Sequence, residues 1–489
     1  PLALHLAGSY LSRYRAAMSP ARYLDQLRQG DPLLHRSLAS GDRSPTAHEQ
    51  HVARTFYASY RSLDRAVDVD ALANQVLLHV AQFLPGVPVA LALLVATLPT
   101  GGEDSHLAVI DAVGRLYDLG LVTVEEAGAV AMHPLVAAFV HQLPDSRTAC
   151  AAAEIAVLHE ADRINTARAP WELNAWDVHL RHFADRSLAD GTPLAADLCW
   201  ELGSHLHTIG NFNGALPYLE QALQLRQERF GAAAPETAEC MDSLGLLLKD
   251  LGDLERARTL LEQALALRRQ ALGEDHADTA QSYNDLGELL RASGDLPAAQ
   301  GLFKQALAIV HSTLGIDHPH TLVVLNNLGM ACLSAGDLSG AHGYLQQTLD
   351  TRRRVLGEMH PDTAASYNNL GSLLNAMGDL QGALSNCQQA MDIWRATLGE
   401  EHPNTALAFH NVGRTLQAMQ VLTGAEYYLE HSLDLYRRIY GEKHPETALT
   451  FNNVGLLRQA LGNAAGARAC FQAALRVLSQ LLPPDHSLL

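Results

Sequence analysis

Apolar residues follow a helical rhythm along most of the chain. In Asp278–Ala292, Tyr283, Leu286 and Leu290 recur at intervals of three and four, so they share one stripe of a helix and leave the other face polar. Gly294 and Asp295 then break the pattern: a glycine supplies a left-handed C-cap and an aspartate caps the helix that follows. That second helix carries Ala299, Phe303, Ala306 and Ile309 as its buried stripe and stops at Gly315. The spacing predicts a helix pair, with Gly287 and Ala299 small enough to let the two helices approach closely.

The pair repeats. Glycines stand at Gly203, Gly245, Gly287, Gly329, Gly371, Gly413 and Gly455, always 42 residues apart. A second column (Gly210, Gly252, Gly294, Gly336, Gly378, Gly462) is broken only at Gln420, and a third runs Gly231, Gly273, Gly315, Gly357, Gly399, Gly441. A fixed period of this length means a solenoid, because each unit can bury its apolar face only against its neighbours. The connecting loops carry His318-Pro319, His360-Pro361, His402-Pro403 and His444-Pro445. Proline at the first helical position pre-sets φ where its missing N–H costs nothing. One histidine per repeat, on loops on the order of 10 Å apart, points to capping and not to a shared metal ion.

Composition narrows the function. At 489 residues the chain is too long for one core, so two or three units are expected. Hydrophobic residues at 48% and charged residues at 18% exclude a disordered chain. The longest apolar run, Val87–Leu98, suits a buried helix and is too short to span a membrane. A net charge of −18, with only three lysines (Lys249, Lys304, Lys443), repels phosphate backbones and anionic lipid, which excludes nucleic acid and membrane as partners. The six scattered cysteines show no CxxC, as for reduced thiols in a cytoplasm. Scarce lysine beside abundant alanine and arginine fits a GC-rich bacterial genome. No nucleophile–base set or pair of acids stands at a catalytic spacing, so no enzyme is expected. The chain opens at Pro1 without an initiator Met, which fits a portion of a longer protein.

The signature Y-N-x-L-G…G-D-L…A…A-L…L-G-x-x-H-P-x-T-A resembles the 42-residue tetratricopeptide repeats of kinesin light chains and their bacterial relatives. It covers about Leu198 to Leu482, and its first copy departs most, with Trp200-Glu201 where later copies carry Asn-Asn. The expected fold is mainly α: a solenoid of seven 42-residue tetratricopeptide-type helix pairs over residues 197–482, then a tail, 483–489. The first helix of each pair should face the concave side. There Asn284, Asn326, Asn368 and Asn452 form one column, and Asn327, Asn369, Asn411 and Asn453 run beside them. Stacked amides offer paired donors and acceptors that suit an extended peptide, or they bond only to neighbouring helices and stabilise the stack. The resemblance implies the former. Arg291, Asn375, Arg414 and Gln417 are the candidate specificity residues, whereas Val323, Ala365 and Leu407 stand where a carboxylate clamp would need lysine. The loop-like Leu482–Ser487 comes where an eighth repeat would begin, so the apolar Phe471, Leu475 and Leu478 are expected to lack a cover.

The first 145 residues do not repeat. A helical segment (1–50), with a turn-rich loop at Ser37–Pro45, precedes a domain (51–145) in which helical patterns end near Tyr117. Two short strands follow, at Gly120–Val124 and Ala127–Met132, as in a winged helix. Its acidic balance argues against DNA. Pro1-Leu2-Ala3-Leu4, Tyr57–Leu63 and Met132-His133-Pro134-Leu135 resemble segments of the NB-ARC (STAND-class) signalling ATPases. That resemblance implies that Pro1 lies against the adenine and that His133 senses the β-phosphate of ADP, unless His133 is only a structural residue at a strand-to-helix turn. Pro134 replaces that family's aspartate, and no G-x-x-x-x-G-K-[ST] occurs, so no nucleotide is expected on this chain alone; ADP or ATP would bind the parent protein. Residues 146–196 read as a helical connector. The function implied is the sensor portion of an NB-ARC-type ATPase, cytoplasmic, whose repeats bind a protein or peptide trigger and whose full-length active form oligomerises. The alternative is a scaffold or cargo adaptor with no nucleotide switch.

Overall fold

A computed structural model describes residues 56–98, 103–125, 128–166, 172–173, 176–442 and 444–481. The expected helical segment at 1–50, Pro1 and the tail at 483–489 lie outside the described residues. The chain forms two compact units, 1–202 and 203–489.

In the first unit, α1 (Asp68–Val80), α2 (Leu91–Ala96) and α3 (Glu103–Asp118) precede a hairpin of β1 (Thr123–Val124) and β2 (Val130–Ala131). The strands pair antiparallel, Thr123 opposite Ala131, and Val89 bridges to Val130 on the far side. Then come α4 (Pro134–Val140), α5 (Ser146–Thr166) and α6 (Asp177–Asp190). An ion pair between Arg115 and Asp70, 2.6 Å and nearly buried, ties α3 to α1.

The seven helix pairs are α7 (Ala195–Thr208) with α8 (Phe212–Phe230), α9 (Pro235–Asp250) with α10 (Leu254–Leu272), α11 (Ala277–Ala292) with α12 (Leu296–Leu314), and α13 (Pro319–Ser334) with α14 (Leu338–Leu356). After them come α15 (Pro361–Met377) with α16 (Leu380–Leu398), α17 (Pro403–Ala418) with α18 (Leu422–Tyr440), and α19 (Pro445–Ala460) with α20 (Ala464–Leu481). The unit boundary falls inside α7. Among the described residues no helix is long and apolar enough to cross a membrane.

Each glycine column has its own cause. At Gly287 a Cβ would lie 2.8 Å from the Phe303 ring, so the first column is set by the close approach within a pair. In the second column, φ is positive at every glycine, and Gln420 keeps the same conformation at φ 64° without being glycine. The third column, with φ of 80–94° and ψ of 159–179° at the end of each second helix, occupies a region open only to glycine.

Side chains close the loops. Asn211, Asp253, Asp295, Asp337, Asp379 and Asn463 cap the second helices. His276, His318, His360, His402 and His444 cap the first helices, each accepting at Nδ1 from the amide two residues on, at 3.0–3.2 Å. A buried threonine donates back to the third-column glycine carbonyl in six loops, for example Thr363 to Gly357 at 2.8 Å.

Two expectations about packing need correction. On α12 the buried residue is Val310, 1% exposed, while Ile309 is only half-buried, because the helix axis turns the stripe by one position at its end. At the last repeat Leu478 is 5% exposed and packs with Ala448 and Val477; Phe471 is half-buried under Gly455, and only Leu475 stands out at 53%.

Candidate functional site

First helices of successive repeats pack on one another as well as on their own partners, which puts them on the inner side of the array's curve. There the two asparagine columns interlock. Asn327 donates from Nδ2 to Asn284 Oδ1 at 3.0 Å, Asn369 to Asn326 at 2.8 Å, and Asn411 to Asn368 at 2.7 Å. In the next rung Asn453 donates to His410 Nε2 at 3.0 Å, while the imidazole's Nδ1 faces Thr450 Oγ1 at 3.4 Å. Burial, with Arg414 beside it, holds His410 down to about 4, so it meets Asn453 as a neutral acceptor.

An amide has two donors and two acceptor lone pairs; Asn327 also donates to Glu288 Oε1 at 2.9 Å, but at Asn369 and Asn411 the one inter-repeat bond leaves the rest unspent. Accessibility decides which of these a ligand reaches. Asn284 and Asn368 are 2% and 4% exposed and serve the stack. Asn326, Asn327, Asn369, Asn411 and Asn453 are half-buried, and Asn452 is exposed. Asn375 is engaged by Thr415 Oγ1 at 3.2 Å. Half-buried Arg291 and Gln417 and exposed Arg414 find no side-chain partner among the described residues.

At the second and third repeats the ladder turns acidic, a feature the sequence reading missed. Asp242 and Asp285 occupy the two columns where later repeats place amides. Asp242 pairs with Arg268 at 2.5 Å and accepts from Ser282 at 3.2 Å, yet burial pushes its carboxyl up to about 6. Asp285 is raised well above the usual carboxylate range by burial, with Asp242 and Glu288 adding to it, and it accepts from Gln281 at 2.8 Å. A protonated Asp285 has the O–H needed to stand in for an amide donor. Lys249 bridges Asp250 and Glu288 at 3.3 and 3.4 Å, and His207 reaches Asp250 at 2.7 Å. The break in the asparagine columns was the available signal.

In the first unit, His133 caps α4, accepting at Nδ1 from the Leu135 amide at 3.2 Å. This is the histidine-proline cap of the repeat loops over again. Pro1, its expected companion at a nucleotide, lies outside the described residues. The six cysteines are free thiols, five of them buried.

Comparisons with known proteins fall mainly on the array. Twenty-seven per cent identity joins the chain to a Podosopora anserina protein described as a kinesin light chain with nearly identical TPR-like repeats, over 42% of this chain and 96% of that one, TM-score 0.37. A signal transduction ATPase with numerous domains and a tetratricopeptide repeat sensor, from Pyrococcus horikoshii, is 14% identical over 96% of this chain and 71% of that one, TM-score 0.42. The Rap conjugation gene regulator of plasmid pLS20, solved with the Phr* peptide, is 14% identical over 68% and 98%, TM-score 0.48. No curated protein matches. The tetratricopeptide repeat model matches residues 195–270, 244–312, 278–354, 362–421 and 408–480, more than half of the sequence. With the period, the caps and the packed helix pairs already described, these matches establish that the chain belongs to the tetratricopeptide repeat family.

Proposed function

We propose that the inner face of the array binds an extended segment of another protein. The amide ladder carries this reading: its half-buried members keep unspent donors and acceptors in a row, at the spacing of the repeats, beside the unpaired guanidiniums of Arg291 and Arg414. A binding module of this family needs no catalytic residues. Peptides selected on the full chain from a displayed random library provide the test. Arg291→Glu and Arg414→Glu should weaken selected peptides at least tenfold with unchanged melting temperature. A chain that enriches no peptide, or charge-reversed variants that bind as the parent does, overturns the reading.

The finer reading makes this chain the sensor portion of an NB-ARC-type ATPase, the trigger on the repeats releasing an ADP-held resting state that then oligomerises. Its support is the resemblance at Tyr57–Leu63 and Met132–Leu135. One observation favours the alternative, a scaffold with no switch: His133 already spends Nδ1 on a cap. Calorimetry separates the cases. This chain should not bind ADP at micromolar concentration by itself, whereas a parent protein with its phosphate-binding domain should, and His133→Ala should lower ADP occupancy there. Unchanged occupancy leaves His133 a structural cap.

A further inference from the structure

Residues more than five repeats apart in sequence meet in the array. The corner between α7 and α8 carries Gly210 and Phe212, and the loop into α19 carries His444. The Phe212 and His444 rings lie 6.2 Å apart, centre to centre. A Cβ at Gly210 would overlap the His444 imidazole. Tyr440 stacks on that imidazole at 3.9 Å and 19°, and His207 meets Phe212 edge-on at 5.7 Å.

The sequence departs from the repeat at these places. Positions equivalent to Phe212 hold Leu254, Leu296, Leu338, Leu380 and Leu422. Positions equivalent to Tyr440 hold Leu272, Leu314, Leu356 and Leu398, with Phe230 in the first repeat. An aromatic ring thus replaces the usual leucine at both positions that meet His444. His444 is 8% exposed beneath these rings; the equivalent His402 is also buried, at 7%, while His318 and His360 are half-buried and His276 is exposed.

We propose that the repeat array is latched on itself, the first inter-helix corner seating on the loop of the seventh repeat through Phe212, His444 and Tyr440, and that this seam bars sideways entry to the inner face. An extended segment then reaches the ladder along the axis of the turn, or after the seam parts. Ring pairs at these distances contribute only modestly each, which suits a contact that opens without unfolding its repeats.

The test compares two glycines in the full chain. Gly210 and Gly294 both have positive φ, 74° and 86°, but nothing lies within 4 Å of a Cβ at Gly294. Gly210→Ala and Gly294→Ala therefore share the backbone strain, and only the first strikes the seam. Small-angle scattering should show a larger maximum dimension for Gly210→Ala alone, and amide exchange across 441–446 should quicken at least tenfold in that variant alone. Phe212→Ala, which leaves the backbone untouched, should do the same, and serves if Gly210→Ala does not fold. Scattering and exchange that match Gly294→Ala for Gly210→Ala, or the parent for Phe212→Ala, overturn the latch.

Discussion

The sixth repeat lacks both residues that fix its inter-helix corner, and restoring them should stabilise the array. Gln420 stands at φ 64° where other repeats have glycine, yet the corner keeps its form: Gln420 donates to Gln417 O at 3.0 Å and Val421 to Leu416 O at 2.9 Å. The fourth repeat shows the same pair, Gly336 to Leu333 and Asp337 to Cys332, both at 3.0 Å. A non-glycine residue in this region costs about 1–2 kcal/mol. Glycine in turn gives back about 0.4–1 kcal/mol through a freer unfolded chain. Gln420→Gly should therefore gain about 0.5–1 kcal/mol. Val421 provides no side-chain cap for α18, whereas Asp337 accepts from Gly340 at 2.9 Å in the equivalent place. Val421→Asp should add about 1 kcal/mol, and the double variant about the sum, since strain and capping are separate mechanisms. Urea unfolding followed by circular dichroism, with amide exchange at the start of α18, reads both. A lower midpoint for Gln420→Gly would refute the strain argument, and unchanged exchange in Val421→Asp would refute the cap.

Gly287→Ala should destabilise by about 1–3 kcal/mol, because its Cβ meets Phe303 at 2.8 Å, while Gly301→Ala, with nothing within 4 Å, should be neutral or stabilising; equal denaturation midpoints would contradict the close-approach explanation. Thr363→Val keeps the shape but leaves the Gly357 carbonyl without its 2.8 Å donor, a loss of about 1–3 kcal/mol measurable by chemical denaturation. Acid should weaken the protein before its carboxylates are neutralised. Burial lowers His79, His402, His410 and His444 from 6.5 to about 4, so each favours the fold above pH 6.5 and loses that contribution as pH falls toward 4, about 1–2 kcal/mol apiece by pH 5. Asp242, raised to about 6, and Asp285 and Glu446, also raised by burial, work in the opposite sense, but the four histidines outnumber them. Stability that holds flat from pH 7 to 4.5 would show these histidines accessible, and His402→Asn, which keeps a cap acceptor, should flatten the slope.

Much of the fold was legible in the sequence because its determinants are local. A positive φ at Gly294, a cap from Asp295 to the amide three residues on, and a threonine that reaches back six residues to a glycine carbonyl are all local, and each recurs through the array with the 42-residue period. Stripe positions followed from the helical period, failing only at Ile309 and Val310, where one position of rotation decides which side chain turns inward. What the period could not supply is the identity of partners across repeats. That Asn327 bonds to Asn284, that Asp285 stands against Asp242, and that His444 closes on Phe212 depend on the superhelical path, which accumulates small rotations from every pair. The columns of asparagine were visible in the sequence. Whether an amide is buried in the stack, as at Asn284 and Asn368, or left open to a ligand, as at the equivalent Asn326 and Asn452, was decided by tertiary packing, since identical residues at equivalent positions differ only in what covers them.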